Sequence, residues 1–176
     1  MKSLKSRSEQ AHGWYEKLVL CLRAGSGAWV AAGLYLSKLR KDNAYKTVLG
    51  EHPTWGWDDF LNQPEISLPY STASKLMRVA EVFVEKLGLP DRAIEHIPYY
   101  RLKSLTSCIT SENKDELLES AEHHSRADFE RVLIKASTGI DQDFCAHRFR
   151  EVTIQECEVC HVRRRKPYGK PKEKSK

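Results

Sequence analysis

Four residues near the C-terminus have the chemical types and the spacing of a zinc site. One residue separates Cys145 from His147, and two residues separate Cys157 from Cys160. Two thiolates at CxxC spacing can bind one zinc ion, and a second pair of soft ligands completes the tetrahedron. The sequence therefore predicts a small zinc-binding module over residues 140–162, with these four side chains as the ligands.

Other interpretations of these residues stay open. His161 directly follows Cys160 and could replace His147, because the one-residue spacing of the first pair is unusual. The cysteines could also be unpaired thiols or a redox pair, although the βαβ context of thioredoxin is missing. The CxxCH pattern also matches c-type haem attachment. We do not expect haem, because the N-terminal stretch MKSLKSRSEQ lacks the features of an export signal.

The same N-terminal stretch predicts a location. It is basic and Ser-rich, without the apolar region and the cleavage site of a signal peptide. We therefore expect a cytoplasmic, nucleoid-associated protein with reduced thiols. The longest apolar runs, such as LVLCL at residues 18–22, are far too short to cross a bilayer, so no membrane partner is expected.

Positive charge is concentrated in residues 163–176, RRRKPYGKPKEKSK. This stretch carries +7 and the whole chain +5, so the residues before Arg163 sum to −2. A segment with almost no apolar residue cannot bury enough surface to fold, so we expect a disordered tail. Such a tail neutralises phosphates without reading sequence, although a purely solubilising role is the alternative. The predicted phosphate contacts are Arg163, Arg164, Arg165 and Lys166.

A second candidate site lies in the stretch SLPYSTASKLMRVAEVF, which begins at Ser67. At 100° per residue its apolar side chains fall on one side, which predicts a buried helix face. That face consists of Ala73, Leu76, Met77, Ala80, Phe83, Val84 and Leu87. The first two turns on the other side are polar and contain Ser71, Thr72, Ser74, Lys75 and Arg78.

This polar face suits the major groove of DNA. The positive end of a helix dipole and small hydroxyl residues can meet phosphate, while longer donors reach base edges. Arg78 could bind a guanine in a bidentate manner, and Lys75 a guanine or a phosphate. The alternative is an ordinary surface helix whose first Ser or Thr caps its N-terminus.

These sites need a scaffold, and the sequence predicts one built from helices, since it shows no sustained period-two alternation. Predicted helices cover residues 12–23, 29–39, 57–62, 71–87 and 99–107, and further helices begin at Asp91, at Asp115 and after a capping Ser125. The predicted organisation is a flexible arm (1–10), a helical domain (11–139), the zinc module (140–162) and the tail (163–176).

The order of motifs in the helical domain resembles a known group of proteins. SKLRKD is followed by Tyr45 and then by WGWDDFLNQPEISLPYSTASKLMRVAEVF. This order resembles helix-turn-helix proteins of plasmids, phages and integrated elements, in which a "W..F" helix precedes "S..TA..L/M.R..". It is also similar to partition and repressor proteins of the ParB and KorB type, whose central domain is all-helical and binds operator DNA. The resemblance covers residues 28–136.

The resemblance implies an all-α fold with a helix-turn-helix-like core, in which the helix starting at Ser71 is the recognition helix. One feature departs from the pattern. The link from Asn62 to Ser71 contains Pro64 and Pro69 and is longer than the usual three or four residues. Ile66 or Leu68 could fill the core beneath such an extended turn, and an ordinary helical hairpin remains the alternative.

A second helical pair follows in ELLESAEHHSRADFERVLIKAS. Its turn, residues 123–125, is close to standard length, but Arg126, Glu130 and Arg131 give its outer face mixed charge. We interpret this pair as supporting or dimerising. In ParB-like proteins the helices after the recognition helix brace it and can touch phosphates, so the resemblance makes Arg126 and Arg131 further candidate DNA contacts.

Together these features predict a sequence-specific binder of double-stranded DNA, acting as a transcriptional regulator or maintenance factor of a mobile element. A homodimer is expected, since such proteins commonly read paired half-sites. We do not predict an enzyme, because Gly25-Ser26-Gly27 lacks the phosphate-loop pattern and no catalytic triad spacing is present. The alternative is an adaptor that docks onto a nucleoprotein complex through its body and zinc module. An RNA-binding accessory protein is a third interpretation.

Overall fold

The computed structural model describes residues 4–50, 54–141, 154–159 and 161–165. These parts of the chain are mostly helical, as the sequence predicts. The α-helices are α1 (Leu4–Ala24), α2 (Trp29–Arg40), α3 (Tyr45–Leu49), α4 (Trp57–Leu61), α5 (Tyr70–Ala80), α6 (Asp91–Ile94), α7 (Tyr99–Leu105), α8 (Lys114–His123) and α9 (Arg126–Thr138). A π-helical segment, Glu81–Lys86, continues α5, and two short 3₁₀ turns, Ser26–Ala28 and Lys41–Asn43, flank α2.

The chain divides into two compact units between His123 and His124. The sequence placed a boundary near Gly139 instead. Gly139 ends α9 in the left-handed conformation, with φ 72°, which is why it looked like the end of the helical region. That glycine lies within the second unit, and α8 and α9 belong to different units.

The first helix begins at Leu4, so the flexible arm predicted for residues 1–10 was wrong for residues 4–10. Nothing in SRSEQAH breaks a helix, since it contains neither proline nor glycine. Ala11 is buried, and the Nδ1 atom of His12 lies 2.9 Å from the carbonyl oxygen of Ser8, one turn earlier. The apolar stripe by which the sequence identified this helix simply begins later than the helix itself.

The core of the first unit forms where α2 lies between α1 and α5, with α3 and α4 closing one end. Its buried side chains include Leu18, Ala32, Leu36, Leu39, Tyr45, Leu49, Phe60, Leu61, Ile66, Ala73 and Leu76. Trp57 stacks on Phe60 with ring centroids 5.2 Å apart and meets Tyr45 edge-on at the same centroid distance. The short helix α4 is thus held mainly by aromatic packing, because five residues are too few for a stable isolated helix.

Helix α5 packs chiefly on α2, and less extensively on α4. The two backbones come closest at Gly33, where a Cβ atom would lie 2.2 Å from the carbonyl oxygen of Leu76 and 3.2 Å from the Cβ atom of Ala80. Small residues allow this approach, and it brings the C-terminal end of α2 beside the outer face of α5. The main partner of α5 is therefore α2, rather than the α4 that the helix-turn-helix resemblance pairs with it.

The π-helical segment changes which side chains of this helix are buried. Val79, Val82 and Phe83 are buried, whereas Val84 and Leu87, which the sequence assigned to the buried face, are only half-buried. A π-helical turn contains more residues than an α-helical turn, so it rotates the later side chains relative to a 100° projection. The predicted face is confirmed at Ala73, Leu76, Ala80 and Phe83, whereas Met77, Val84 and Leu87 are only half-buried.

The link between α4 and α5 is ordered despite its two prolines. Ile66 is buried, and the amide of Leu68 donates to the carbonyl oxygen of Leu61 at 3.0 Å. Ser67 adopts a left-handed conformation, with φ 44°, to turn the chain between them. The prediction that Ile66 or Leu68 fills the core beneath an extended turn is confirmed.

The second unit contains α9 and an antiparallel pair of strands, β1 (Ile154–Glu156) and β2 (Arg163–Arg165). Ile154 pairs with Arg165, and Glu156 with Arg163. Arg163–Arg165 was expected to be part of a disordered tail, and this was wrong, because a backbone ladder does not require apolar side chains. Lys166 and the rest of the predicted tail lie outside the described residues.

No helix in the described part of the chain is both long enough and apolar enough to cross a bilayer.

Candidate nucleic-acid interface

The N-terminus of α5 is capped by backbone geometry and not by a hydroxyl group. Pro69 is the N-cap residue, and its carbonyl oxygen accepts from the amides of Thr72 and Ala73 at 2.9 and 3.0 Å. No side-chain cap is present at this end. The proposal that a Ser or Thr here serves only as an N-cap therefore loses its main support, since neither Ser71 nor Thr72 has that role.

The polar face predicted for α5 points outward. Ser71, Lys75 and Arg78 are exposed, whereas Thr72 and Ser74 are half-buried at its margins. The buried residues Ala73, Leu76 and Ala80 lie on the other side of the same helix. The 3.6-residue period thus separates a core-facing stripe from a solvent-facing stripe of hydroxyl and basic groups, as the sequence predicts.

Arg78 is not an isolated cation. Its Nη1 atom lies 3.1 Å from Oε2 of Glu81, and Nζ of Lys86 lies 2.8 Å from Oε1 of the same carboxylate. Glu81 and Lys86 are five residues apart, the spacing that a π-helical turn brings together. Hydrogen bonds from Lys86 first, and then from Arg78, lower the pKa of Glu81 below its ordinary value. Glu81 is therefore ionised at neutral pH and holds Arg78 toward the end of the outer face.

Arg40, at the C-terminal end of α2, joins this surface although sequence reasoning missed it. Its guanidinium carbon lies 5.6 Å from the ring centroids of both Trp57 and Tyr70, and Nη2 donates to the Tyr70 hydroxyl at 3.1 Å. Cation–π contacts of this kind fix an otherwise flexible side chain. A sequence signal was weak, because thirty residues separate Arg40 from Tyr70.

Two grooves run along the outer face of α5. One, between α5 and the end of α2, has a volume of about 480 Å³ and is lined by Ser37, Arg40, Lys41, Ser74, Met77, Arg78, Glu81 and Glu85. The other, between α5 and α7, also measures about 480 Å³ and is lined by Tyr70, Ser71, Ser74, Lys75, Arg78, Val79, Lys103 and Thr106. Cations from α2, α5 and α7 therefore converge on a single surface.

We call this surface the α5 face and define it by its five cations, Arg40, Lys41, Lys75, Arg78 and Lys103. They come from segments far apart in sequence, and all five are exposed. Lys41 and Lys103 were not predicted as site residues, because nothing in the sequence shows that α2 and α7 flank α5. The acids on the same surface are Glu81 and Glu85, at the end away from Ser71.

The candidate contacts on α9 lie in the other unit. Arg126 Nε is 3.0 Å from Glu130 Oε1, and Arg131 Nη1 is 3.7 Å from Asp128 Oδ1. Both cations are thus balanced by acids on their own helix. The cap predicted at Ser125 is present, since its Oγ accepts from the Asp128 amide at 3.2 Å. DNA contact by Arg126 and Arg131 stays a prediction.

Of the predicted zinc ligands, only Cys157 falls within the described residues. It is buried at the end of β1, where its amide donates to Val162 at 2.8 Å and its carbonyl accepts from His161 at 2.9 Å. His161, the alternative ligand, has a left-handed backbone, with φ 59°. Cys145, His147 and Cys160 lie outside the described ranges. Within those ranges, no group of three or more His, Cys, Asp or Glu side chains is placed to hold a metal ion.

Comparison with known proteins adds no relative. No protein-family model matches the chain, and no curated protein and no solved structure matches it significantly. The α5 face therefore has to be interpreted from its own chemistry.

Proposed function

We propose that this protein binds double-stranded DNA sequence-specifically, with the outer side of α5 in the major groove. The observation that carries the proposal is the α5 face, on which α5, α7 and the end of α2 with the turn after it place five exposed cations around one polar helix surface. In this proposal Lys75 and Arg78 contact base edges or phosphates, while Arg40 and Lys41 on one side of α5 and Lys103 on the other contact the backbone. The resemblance to proteins of mobile elements supports a role as transcriptional regulator or maintenance factor.

The test is a selection from random duplex DNA with the full chain, at about 200 mM salt so that non-specific phosphate binding is suppressed. Removing the basic end before Arg163 is unsuitable, because it would delete β2. We expect an enriched motif. Arg78→Ala should weaken binding to that motif by about 10-fold, the value of a lost bidentate contact, and should relax the base preference at one position. Arg92→Ala is the control, since Arg92 is an exposed arginine of α6 outside the α5 face.

The mixed charge of the α2–α5 groove favours the alternative function, an adaptor that binds a protein partner. Glu81 and Glu85 line that groove beside Arg40 and Lys41. Absence of any enriched motif from folded protein would refute sequence-specific recognition by α5. A motif that survives Arg78→Ala unchanged would move the recognition elsewhere in the chain.

Glu81→Gln should raise affinity for the selected DNA by about 3-fold, because it removes a negative charge and releases Arg78 from an exposed ion pair. Glu85→Gln is the matched control, since it removes the same charge from the same groove without touching Arg78. Anisotropy titration of a labelled duplex would measure both. Equal gains for the two variants would show that net charge alone matters and that the Arg78–Glu81 pair does not restrain binding.

We also propose that the second unit binds one zinc ion through Cys157, Cys160, Cys145 and either His147 or His161. Support comes from the sequence spacing and from a tight turn after β1. This turn begins at the buried Cys157.

Metal analysis of the purified full chain should therefore find about one zinc per molecule, and Cys157→Ser should abolish it, whereas Cys21→Ser should not. His147→Asn and His161→Asn would identify the fourth ligand. A chain that stays zinc-free after reconstitution with zinc under reducing conditions would refute the site.

A further inference from the structure

We propose that the groove between α5 and α7 binds an unpaired nucleotide of the DNA target, with its base stacked on Tyr70 and its phosphate held by Lys75 and Lys103. This inference rests on the proposed DNA binding and specifies the kind of DNA that the α5 face recognises, a duplex that adjoins or contains an unpaired position.

The dimensions of the groove suit a single nucleotide. Its volume of about 480 Å³ lies within the range of small-molecule sites in proteins. It is lined at one end by an aromatic ring, Tyr70, and along its length by the hydroxyl groups of Ser71, Ser74 and Thr106. A nucleotide combines a flat base with an anionic phosphate, which are the two groups that this lining complements.

Tyr70 is presented as a stacking surface. Half of it is exposed to solvent (50%), so its ring is accessible to a ligand in the groove. Arg40 lies over the ring, with its guanidinium carbon 5.6 Å from the ring centroid, and its Nη2 atom donates to the hydroxyl oxygen at 3.1 Å, so the ring is held in place. A base inside a duplex is covered by its neighbours, whereas an unpaired base has a free π-face for Tyr70.

Two cations beside the ring are available for a phosphate. Lys75 and Lys103 are exposed and line the groove from opposite helices. Among the described residues neither makes an ion pair, in contrast to Arg78, which is held by Glu81. Lysines so placed bind phosphate as point charges without demanding one geometry. The groove therefore offers an anion site and a stacking surface in the same lining.

The groove is continuous with the surface proposed for the duplex. Lys75 and Arg78 belong to the α5 face and also line the groove. A strand that leaves the duplex beside α5 would enter the groove directly, so one protein surface would contact both the paired and the unpaired parts. Unstacking a base costs least where it is mismatched or already single-stranded, which predicts a preference for such DNA.

The experiment compares two labelled probes by anisotropy with the full chain: a blunt duplex, and the same duplex with an unpaired extension of about six nucleotides, a typical site size for a small stacking surface. The extended probe should bind about 10-fold more tightly, the value of one stacked base. Tyr70→Leu should make the affinities for the two probes equal, since any effect of releasing Arg40 acts on both probes alike. Tyr70→Phe, the matched control, keeps the ring and should keep the preference.

A second variant tests the phosphate site independently of the ring. Lys103→Gln changes an exposed side chain and should reduce affinity for the extended probe. The slope of log affinity against log salt concentration should fall by about one, because one phosphate contact is lost. Far-UV circular dichroism and a thermal melt would show that each variant is folded.

The outcomes separate this inference from the duplex proposal. Equal affinity of the original chain for the two probes, or equal losses in Tyr70→Leu and Tyr70→Phe, would overturn the stacking site while leaving duplex recognition standing. Binding to the extended probe alone would support the groove and overturn major-groove reading. Absence of binding to either probe would overturn both.

Discussion

Replacing Gly33 by alanine should destabilise the first unit by about 3 kcal/mol or more, a large fraction of the stability of a small domain. The added Cβ atom would lie 2.2 Å from the carbonyl oxygen and 2.6 Å from the carbonyl carbon of Leu76. Both are backbone atoms of α5, so no flexible side chain can move aside. The helix-propensity gain of alanine over glycine, about 1 kcal/mol, is too small to offset separating two packed helices.

Gly13 provides the matched control for this substitution. It also lies inside a helix, α1, but a Cβ atom there would have no neighbour within 4 Å. Gly13→Ala should therefore stabilise the protein by about 0.5–1 kcal/mol. Urea unfolding of both variants, followed by circular dichroism, measures the two changes. If Gly33→Ala proved as stable as the original chain, the close packing of α2 on α5 would be refuted.

The close approach of Gly33 to Leu76 links stability to the proposed function. Arg40 and Lys41 follow Gly33 at the end of α2, whereas Lys75 and Arg78 are on α5. The spacing of the two helices therefore sets the distance between these pairs of cations and the position of Arg40 against Tyr70. A Gly33 variant that still folds should lose DNA affinity without any change in its charges. This separates the geometry of the α5 face from its net charge.

The sequence predicts most of the helices, though not α3, and much of the core, because burial imposes a period that any amphipathic helix must follow. It predicts the polar side of α5 for the same reason. It does not predict the π segment, since the choice between an α and a π turn at Glu81–Lys86 depends on packing against other helices. The result is visible at Val84 and Leu87, which a regular projection places in the core and the structure leaves half-buried.

The parts of the α5 face that were missed have a common cause. Arg40 and Lys103 are ordinary basic residues at the surface of their own helices, and only the packing of α2 and α7 around α5 gives them a shared location. The strand at Arg163–Arg165 was missed for a different reason. Three successive arginines carry no apolar alternation, so their pairing with Ile154–Glu156 is invisible to a pattern based on burial.

Arg101 was also missed, although a signal for it exists in the sequence. Arg101, Leu105 and Cys108 follow one another at the spacing of a buried helical stripe, so a charged residue occupies a core position. The structure buries Arg101, and its Nη1 atom donates to the carbonyl oxygen of Ala121 at 2.7 Å. Ala121 lies in the last turn of α8, where carbonyl oxygens have no partner within the helix.

Arg101→Met should therefore destabilise the first unit by about 2–3 kcal/mol, because it leaves a buried carbonyl without a charged donor and removes a cation from the negative end of α8. Lys103→Met is the control on the same helix, since Lys103 is exposed and should change stability by no more than about 0.5 kcal/mol. Urea unfolding would measure both.

The two substitutions should have different consequences. Lys103→Met should weaken binding to phosphate and keep the fold, whereas Arg101→Met should weaken the fold and keep the charges of the α5 face. Equal stability losses in the two variants would contradict the burial of Arg101 in the core and the exposure of Lys103 at the surface. Arg101 and Lys103 lie within one turn of each other on α7, and sequence composition counts them as two equal positive charges. Only their burial distinguishes the residue that stabilises the fold from the residue that is exposed.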